Sequence, residues 1–132
     1  MRSPGDSLFS TCDGSEDPKP GDRLPESIID LIVKTTEGLG EASELIERQA
    51  RAARVVRFSA TNIDVVVPKG SEPIPLANGP ITSYGILDER GDIIGQVLIW
   101  VTKGTFIGME QDWYTEETPS KWPLVEQIRW GS

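Results

Sequence analysis

The chain has 132 residues, 37% of them hydrophobic and 26% charged, with 21 acidic against 13 basic side chains and a formal charge of −8. That length suits one domain with one core. No apolar run approaches the ~20 residues of a membrane helix, and the acidity repels phosphate backbones, so neither a membrane nor nucleic acid is an expected partner. The absence of histidine and the single cysteine, Cys12, exclude Ser-His and Cys-His catalysis and an internal disulfide within one chain, and leave almost nothing to ligate zinc. No phosphate-cradling glycine loop is present, and no cofactor is expected. The first residues, Met1-Arg2-Ser3-Pro4, open no apolar stretch of the kind a secretory signal needs, which makes a cytoplasmic location the expectation.

Residues 1–24 carry Pro4, Pro18 and Pro20 among glycines, serines and aspartates and read as a flexible tail, with Leu8 and Phe9 as its sizeable apolar pair. Residues 25–130 read as a single α+β domain, with Gly131-Ser132 set aside as a cloning remnant. Pro25-Glu26 suits a helix start, and Ile28, Ile29, Leu31, Ile32 and Val33 make its apolar stripe. Gly38 and Gly40 end it. A second helix opens at Glu41, with Ala42, Leu45, Ile46, Gln49, Ala50 and Ala53 on one face and the pairs Glu44–Arg48 and Glu47–Arg51 on the other. The short connection predicts an antiparallel helix pair.

The period then changes to two. Ile63, Val65 and Val67 alternate in a strand, which Val55–Phe58 extends through a turn or bulge near Ser59-Ala60. Residues 68–80 form a stiff loop with Pro73, Pro75 and Pro80. Ile81–Leu87, Ile93–Val101 and Thr105–Tyr114 follow as strands, completing an antiparallel β-meander of about four strands with the helix pair packed on one face.

Two turns set the registers. A three-residue loop, Glu89-Arg90-Gly91, pairs Leu87 with Ile93 and Ile81 with Ile99. A second of the same form, Thr102-Lys103-Gly104, pairs Val101 with Thr105, Ile99 with Ile107 and Val97 with Met109. The alternative, a two-residue Lys103-Gly104 turn, would carry Glu110 and Asp112 into the core at several kcal/mol per unpaired charge, so the three-residue form is preferred. One face then holds Ile81, Leu87, Ile93, Val97, Ile99, Val101, Ile107 and Met109. The other holds Thr82, Tyr84, Ile86, Ile94, Gln96, Leu98, Trp100, Phe106, Glu110, Asp112 and Tyr114, with a gap at Gly108.

Gly95 to Val101, a short turn ending in Gly104, Gly108-Met109-Glu110, Trp113-Tyr114, Thr115-Glu116-Glu117, Pro119 and Trp122-Pro123 resemble the C-terminal signature of an uncharacterised family of small bacterial proteins, common in actinobacteria. The Leu39-Gly40-Glu41 junction resembles that family too, so the likeness covers residues 24–130. It implies no activity. Relatives with Cys-Gly-Cys near the first strand would have thiols there, where this chain has Arg57-Phe58-Ser59, so no thiol or metal role carries over.

Three readings of the open face follow. Tyr84, Gln96, Trp100, Phe106, Glu110, Asp112 and Tyr114 form the candidate binding face of a non-catalytic protein-interaction module, aromatic anchors ringed by acids. The same face would serve a homodimer. It would instead be covered by the C-terminal segment if Trp122, Leu124, Ile128 and Trp130 anchored there. A separate alternative is a divalent-metal or acid/base site, should Asp88, Asp92, Glu110 and Asp112 converge at one end of the sheet.

Overall fold

A computed structural model describes residues 17–81 and 84–130. Residues 1–16, with Leu8, Phe9 and Cys12, and Thr82, Ser83 and Gly131-Ser132 lie outside the described residues, as do the side chains of Tyr84 and Trp130. The first helix, α1 (Glu26–Thr36), starts behind Pro25 and buries Ile28, Ile29, Leu31 and Ile32. At its end the Thr35 and Thr36 hydroxyls donate back to the carbonyls of Leu31 and Ile32 at 2.9 and 2.8 Å. A 3₁₀ turn (Glu37–Leu39) and Gly40 at φ 61° lead into α2 (Glu41–Ala52).

Across this junction the Thr36 and Ser43 hydroxyls lie 2.8 Å apart. At the far end the Arg51 guanidinium donates to both oxygens of Glu26, at 3.2 and 3.1 Å. The end of one helix thus lies beside the start of the other, as an antiparallel pair requires. Hydrogen bonds donated to Glu26 and then to Glu47 push the Arg51 pKa above its ordinary value. Of the two pairs expected along α2, Glu47–Arg51 forms at 3.0 Å, whereas Arg48 turns to Glu72 in the following loop at 3.3 Å. None of the described helices is long and apolar enough to cross a membrane.

The strands are β1 (Arg54–Phe58), β2 (Asn62–Val66), β3 (Gly79–Ile81), β4 (Tyr84–Leu87), β5 (Ile93–Thr102), β6 (Thr105–Trp113) and β7 (Ile128–Trp130). They form one seven-stranded antiparallel sheet in the order β1-β2-β6-β5-β4-β7, with β3 also on β5. The sheet is larger than the four strands expected, for three local reasons. Ser59 accepts the Asn62 and Thr61 N–H groups on its hydroxyl, at 3.0 and 3.3 Å, and closes a hairpin rather than extending one strand. Gly79–Ile81 and Tyr84–Leu87 are separate strands, β3 and β4, and both pair with β5. The C-terminal segment adds β7 to β4.

The β5–β6 register corrects the expected one. Thr102 pairs with Thr105, and Lys103 and Gly104 both have positive φ, 52° and 75°: this is a two-residue turn of the kind that matches strand twist. Val101 therefore pairs with Phe106. A bulge then skips Ile107, after which Trp100 pairs with Gly108, Ile99 with Met109 and Leu98 with Glu110. The extra residue restores the phase, so the tight turn and a charge-free core coexist. Phe106 is 0% exposed, while Ile107, expected in the core, is 40% exposed.

The β4–β5 turn behaves as expected at its ends. Leu87 pairs with Ile93, Ile81 with Ile99, and Gly91 has φ 87°. Between them a bulge at Ile94 shifts the pairing by one, setting Ile86 opposite Gly95. Ile86 is consequently buried rather than on the open face, and Ile93 is 45% exposed rather than in the core.

One buried cluster joins Ile28, Ile29, Leu31 and Ile32 of α1, Leu45 and Ile46 of α2, and Val55, Ile63, Ile86, Val97, Ile99, Val101, Phe106 and Met109 of the strands. Two buried glutamines tie elements to it. Gln49 donates to the carbonyls of Glu72 and Gly104, at 2.8 and 3.0 Å, and accepts from the Phe106 N–H at 2.8 Å. Gln111 donates to the carbonyls of Ala60 and Lys121, at 2.6 and 2.8 Å, binding the β1–β2 turn to the C-terminal segment. The proline-rich loop lies across the β5–β6 turn, with Ile74 buried and its N–H on the Gly104 carbonyl at 2.9 Å.

Within the stretch read as a tail, Gly21 donates to the Val55 carbonyl and Val55 to the Asp22 carbonyl, both at 2.8 Å, and Leu24 belongs to the buried cluster. The C-terminal segment does not lie over the open face in the way considered. Trp122 is buried with its indole N–H on the Ser59 carbonyl at 2.7 Å, Ile128 joins the core, and Leu124 is exposed.

Candidate binding face

Alternation along β5 places Gly95, Val97, Ile99 and Val101 on the buried side and leaves Gln96, Leu98, Trp100 and Thr102 half-buried on the other. The register of β6 sets Asp112 beside Gln96, Glu110 beside Leu98 and Gly108 beside Trp100. The next strand continues two of these rows: Asn62 pairs with Glu110, and Asp64 with Gly108. β1 extends the second row, with Arg57 opposite Asp64 and its guanidinium 3.1 Å from that carboxylate.

At the centre is a fixed carboxylate. The Trp100 indole N–H donates to Glu110 Oε1 at 2.7 Å, and the Asn62 carboxamide donates to Oε2 at 3.1 Å. Gly108 is required beside it, because a Cβ there would run into the Ile63 carbonyl oxygen of the neighbouring strand. A depression of about 290 Å³ opens beside it, bordered by Asn62, Asp64, Trp100, Ile107 and Glu110.

Of the residues expected on this face, Gln96, Trp100, Glu110 and Asp112 are brought together. Phe106 is not: the tight turn and bulge send it into the core. Tyr114 lies beyond the end of β6, its N–H on the Ile94 carbonyl at 2.7 Å and its side chain 61% exposed. Tyr84 pairs through its backbone with Trp130. Asn62, Asp64 and Ile107 were missed. The alternation of Ile63 and Val65 places Asn62 and Asp64 opposite the core, but only the pairing of β2 with β6 brings them to Glu110.

The four acids considered for a metal do not converge. Asp88 Oδ1 accepts the N–H groups of Arg90 and Asp92, both at 2.9 Å, and serves its own turn. Glu110 pairs with Leu98, five residues along β5 from Ile93 and so roughly 17 Å from that turn at ~3.4 Å per residue. Among the described residues, no group of three or more carboxylate, cysteine or histidine side chains is placed to hold a metal ion. Comparison of the chain with protein-family models, with curated proteins and with solved structures finds no match.

Proposed function

We propose that this chain is a non-catalytic binding module, in which the helix pair covers one face of the sheet and a partner protein engages the other around Trp100, Leu98, Ile107 and Glu110. The observation that carries this reading is the clamp on Glu110. Trp100 is half-buried at the centre of the face, and its ring is held by a 2.7 Å bond to a carboxylate that Asn62 holds in turn. An aromatic anchor fixed before binding loses little side-chain entropy on association, which is the property of residues that dominate interfaces. Exposed Ile107 and Val66 add apolar area nearby.

The test is capture from a lysate of the native host on the immobilised chain, with Trp100→Arg compared against an Arg90→Ser control in the exposed β4–β5 turn. Loss of a defined protein band in Trp100→Arg, with the control unaffected and both variants folded by circular dichroism, is the expected result. Equal capture by both variants dismisses the face. Light scattering runs alongside: a doubled mass that Trp100→Arg halves would assign the face to a second copy of the chain.

A further inference from the structure

Both donors that hold Glu110 are neutral, so neither compensates its charge. None of the ion pairs between described residues includes Glu110, and the nearby Arg57 is taken by Asp64 at 3.1 Å. An ionised carboxylate has about four acceptor positions. Among the described residues two are filled, one on each oxygen, so each oxygen has one left for a further donor. The two bonds also fix the carboxylate at the border of the depression over Gly108, beside the Trp100 indole.

Building on the binding reading above, we propose that this depression receives an arginine side chain of a basic partner protein. The guanidinium fork supplies parallel N–H donors to the two free acceptor positions of Glu110. A planar cation stacked over the face of the indole gains from the ring quadrupole. The depression of about 290 Å³ has room for the head group, and half-exposed Ile107 offers apolar surface to the alkyl stem. The −8 formal charge and exposed Asp112 steer a basic partner towards the face. An anionic ligand would meet Glu110 and Asp64 with like charge, and a wholly apolar one would bury the Glu110 charge without compensation.

The probe is the peptide acetyl-Gly-Arg-Gly-amide, titrated into the full-length chain while the indole N–H resonances are followed by NMR. Trp100 is identified by the resonance absent from Trp100→Phe. The control peptide carries citrulline in place of arginine, which keeps the shape and removes the charge. A saturable shift of the Trp100 resonance with the arginine peptide is expected, weakened at least tenfold with citrulline and in Glu110→Gln. No shift at about 10 mM peptide, an affinity weaker than roughly 3 kcal/mol, overturns the proposal, as does an equal response to citrulline on the unaltered chain. In the capture experiment, a partner lost by Trp100→Arg but retained by Glu110→Gln would sink the arginine and leave the binding face standing; indifference to Trp100→Arg would sink the face itself.

Discussion

The side chain of Gln49 takes the place of a strand for Phe106. The pairing of β2 with β6 stops at Asp64 opposite Gly108, and beyond that point the Phe106 N–H is received by Gln49 Oε1 at 2.8 Å. A helix side chain therefore completes the hydrogen bonding of the sheet where the neighbouring strand runs out. Replacing it with an apolar residue leaves a buried N–H without an acceptor, at about 1–3 kcal/mol for the orphaned donor. Gln49→Leu is expected to lower stability by about 2–3 kcal/mol in urea unfolding, with the midpoint falling at constant slope. A loss below about 0.5 kcal/mol would mean that water or a shifted backbone replaces this contact.

Lys103 occupies a backbone conformation that suits asparagine better. Its φ is 52° ahead of Gly104 at 75°, and Asn-Gly is the preferred pair for a two-residue turn of this hand. Lys103→Asn is expected to raise stability by about 0.5–1 kcal/mol, since the left-handed strain is relieved while the N–H keeps its bond to Asn78 Oδ1 at 2.7 Å. The three-residue turn considered from sequence has no such strain at Lys103. Unchanged or reduced stability would favour that form.

Two glycines share a positive φ and differ in steric demand. At Gly91, φ is 87° and an added Cβ meets open space, so Gly91→Ala is expected to cost only the strain of the left-handed region, about 1 kcal/mol. At Gly108 the added carbon meets the Ile63 carbonyl, and β2 and β6 must separate. Gly108→Ala is expected to cost at least about 2–3 kcal/mol, with faster amide exchange along β2. Equal costs at the two sites would contradict the close approach of these strands.

The Trp100–Glu110 bond is measurable as a coupling. In a double-mutant cycle with Trp100→Phe and Glu110→Ala, the interaction energy is expected near 1–2 kcal/mol, below the full worth of a charged hydrogen bond because both partners are only half-buried. Additive single effects would show that the indole is not held by the carboxylate.

Gln111 sets the attachment of the C-terminal segment. It lies opposite Val97 on the buried side of β6, where its carboxamide reaches both Ala60 and Lys121. Gln111→Met keeps the volume and removes both bonds. Cleavage after Lys121 by trypsin is expected to accelerate several-fold relative to the parent chain, because the segment between β6 and Trp122 loses its tie. Unaltered cleavage would locate the attachment in Trp122 and Ile128 alone.

Local chemistry in the sequence determined the helices and the central strand. The isoleucine stripe behind Pro25, the glycines before Glu41 and the alternation from Gln96 to Val101 each act within a few residues, and each appears at its expected place. The Glu89-Arg90-Gly91 turn is legible for the same reason: Asp88 caps it and glycine supplies the positive φ. The register of β6 belongs to another level. The turn closes on two residues, the burial of acids argued for three, and a single bulge reconciles the two. Nothing within the strand says where that bulge falls, because an extra residue anywhere before Glu110 restores the phase. Its position at Ile107 is decided by neighbours distant in sequence: Gln49 holds Phe106 inward on one side, and the Ile63 carbonyl admits only a glycine on the other. Tertiary contact thus exchanged Phe106 for Ile107 on the open face and brought Asn62 to Glu110.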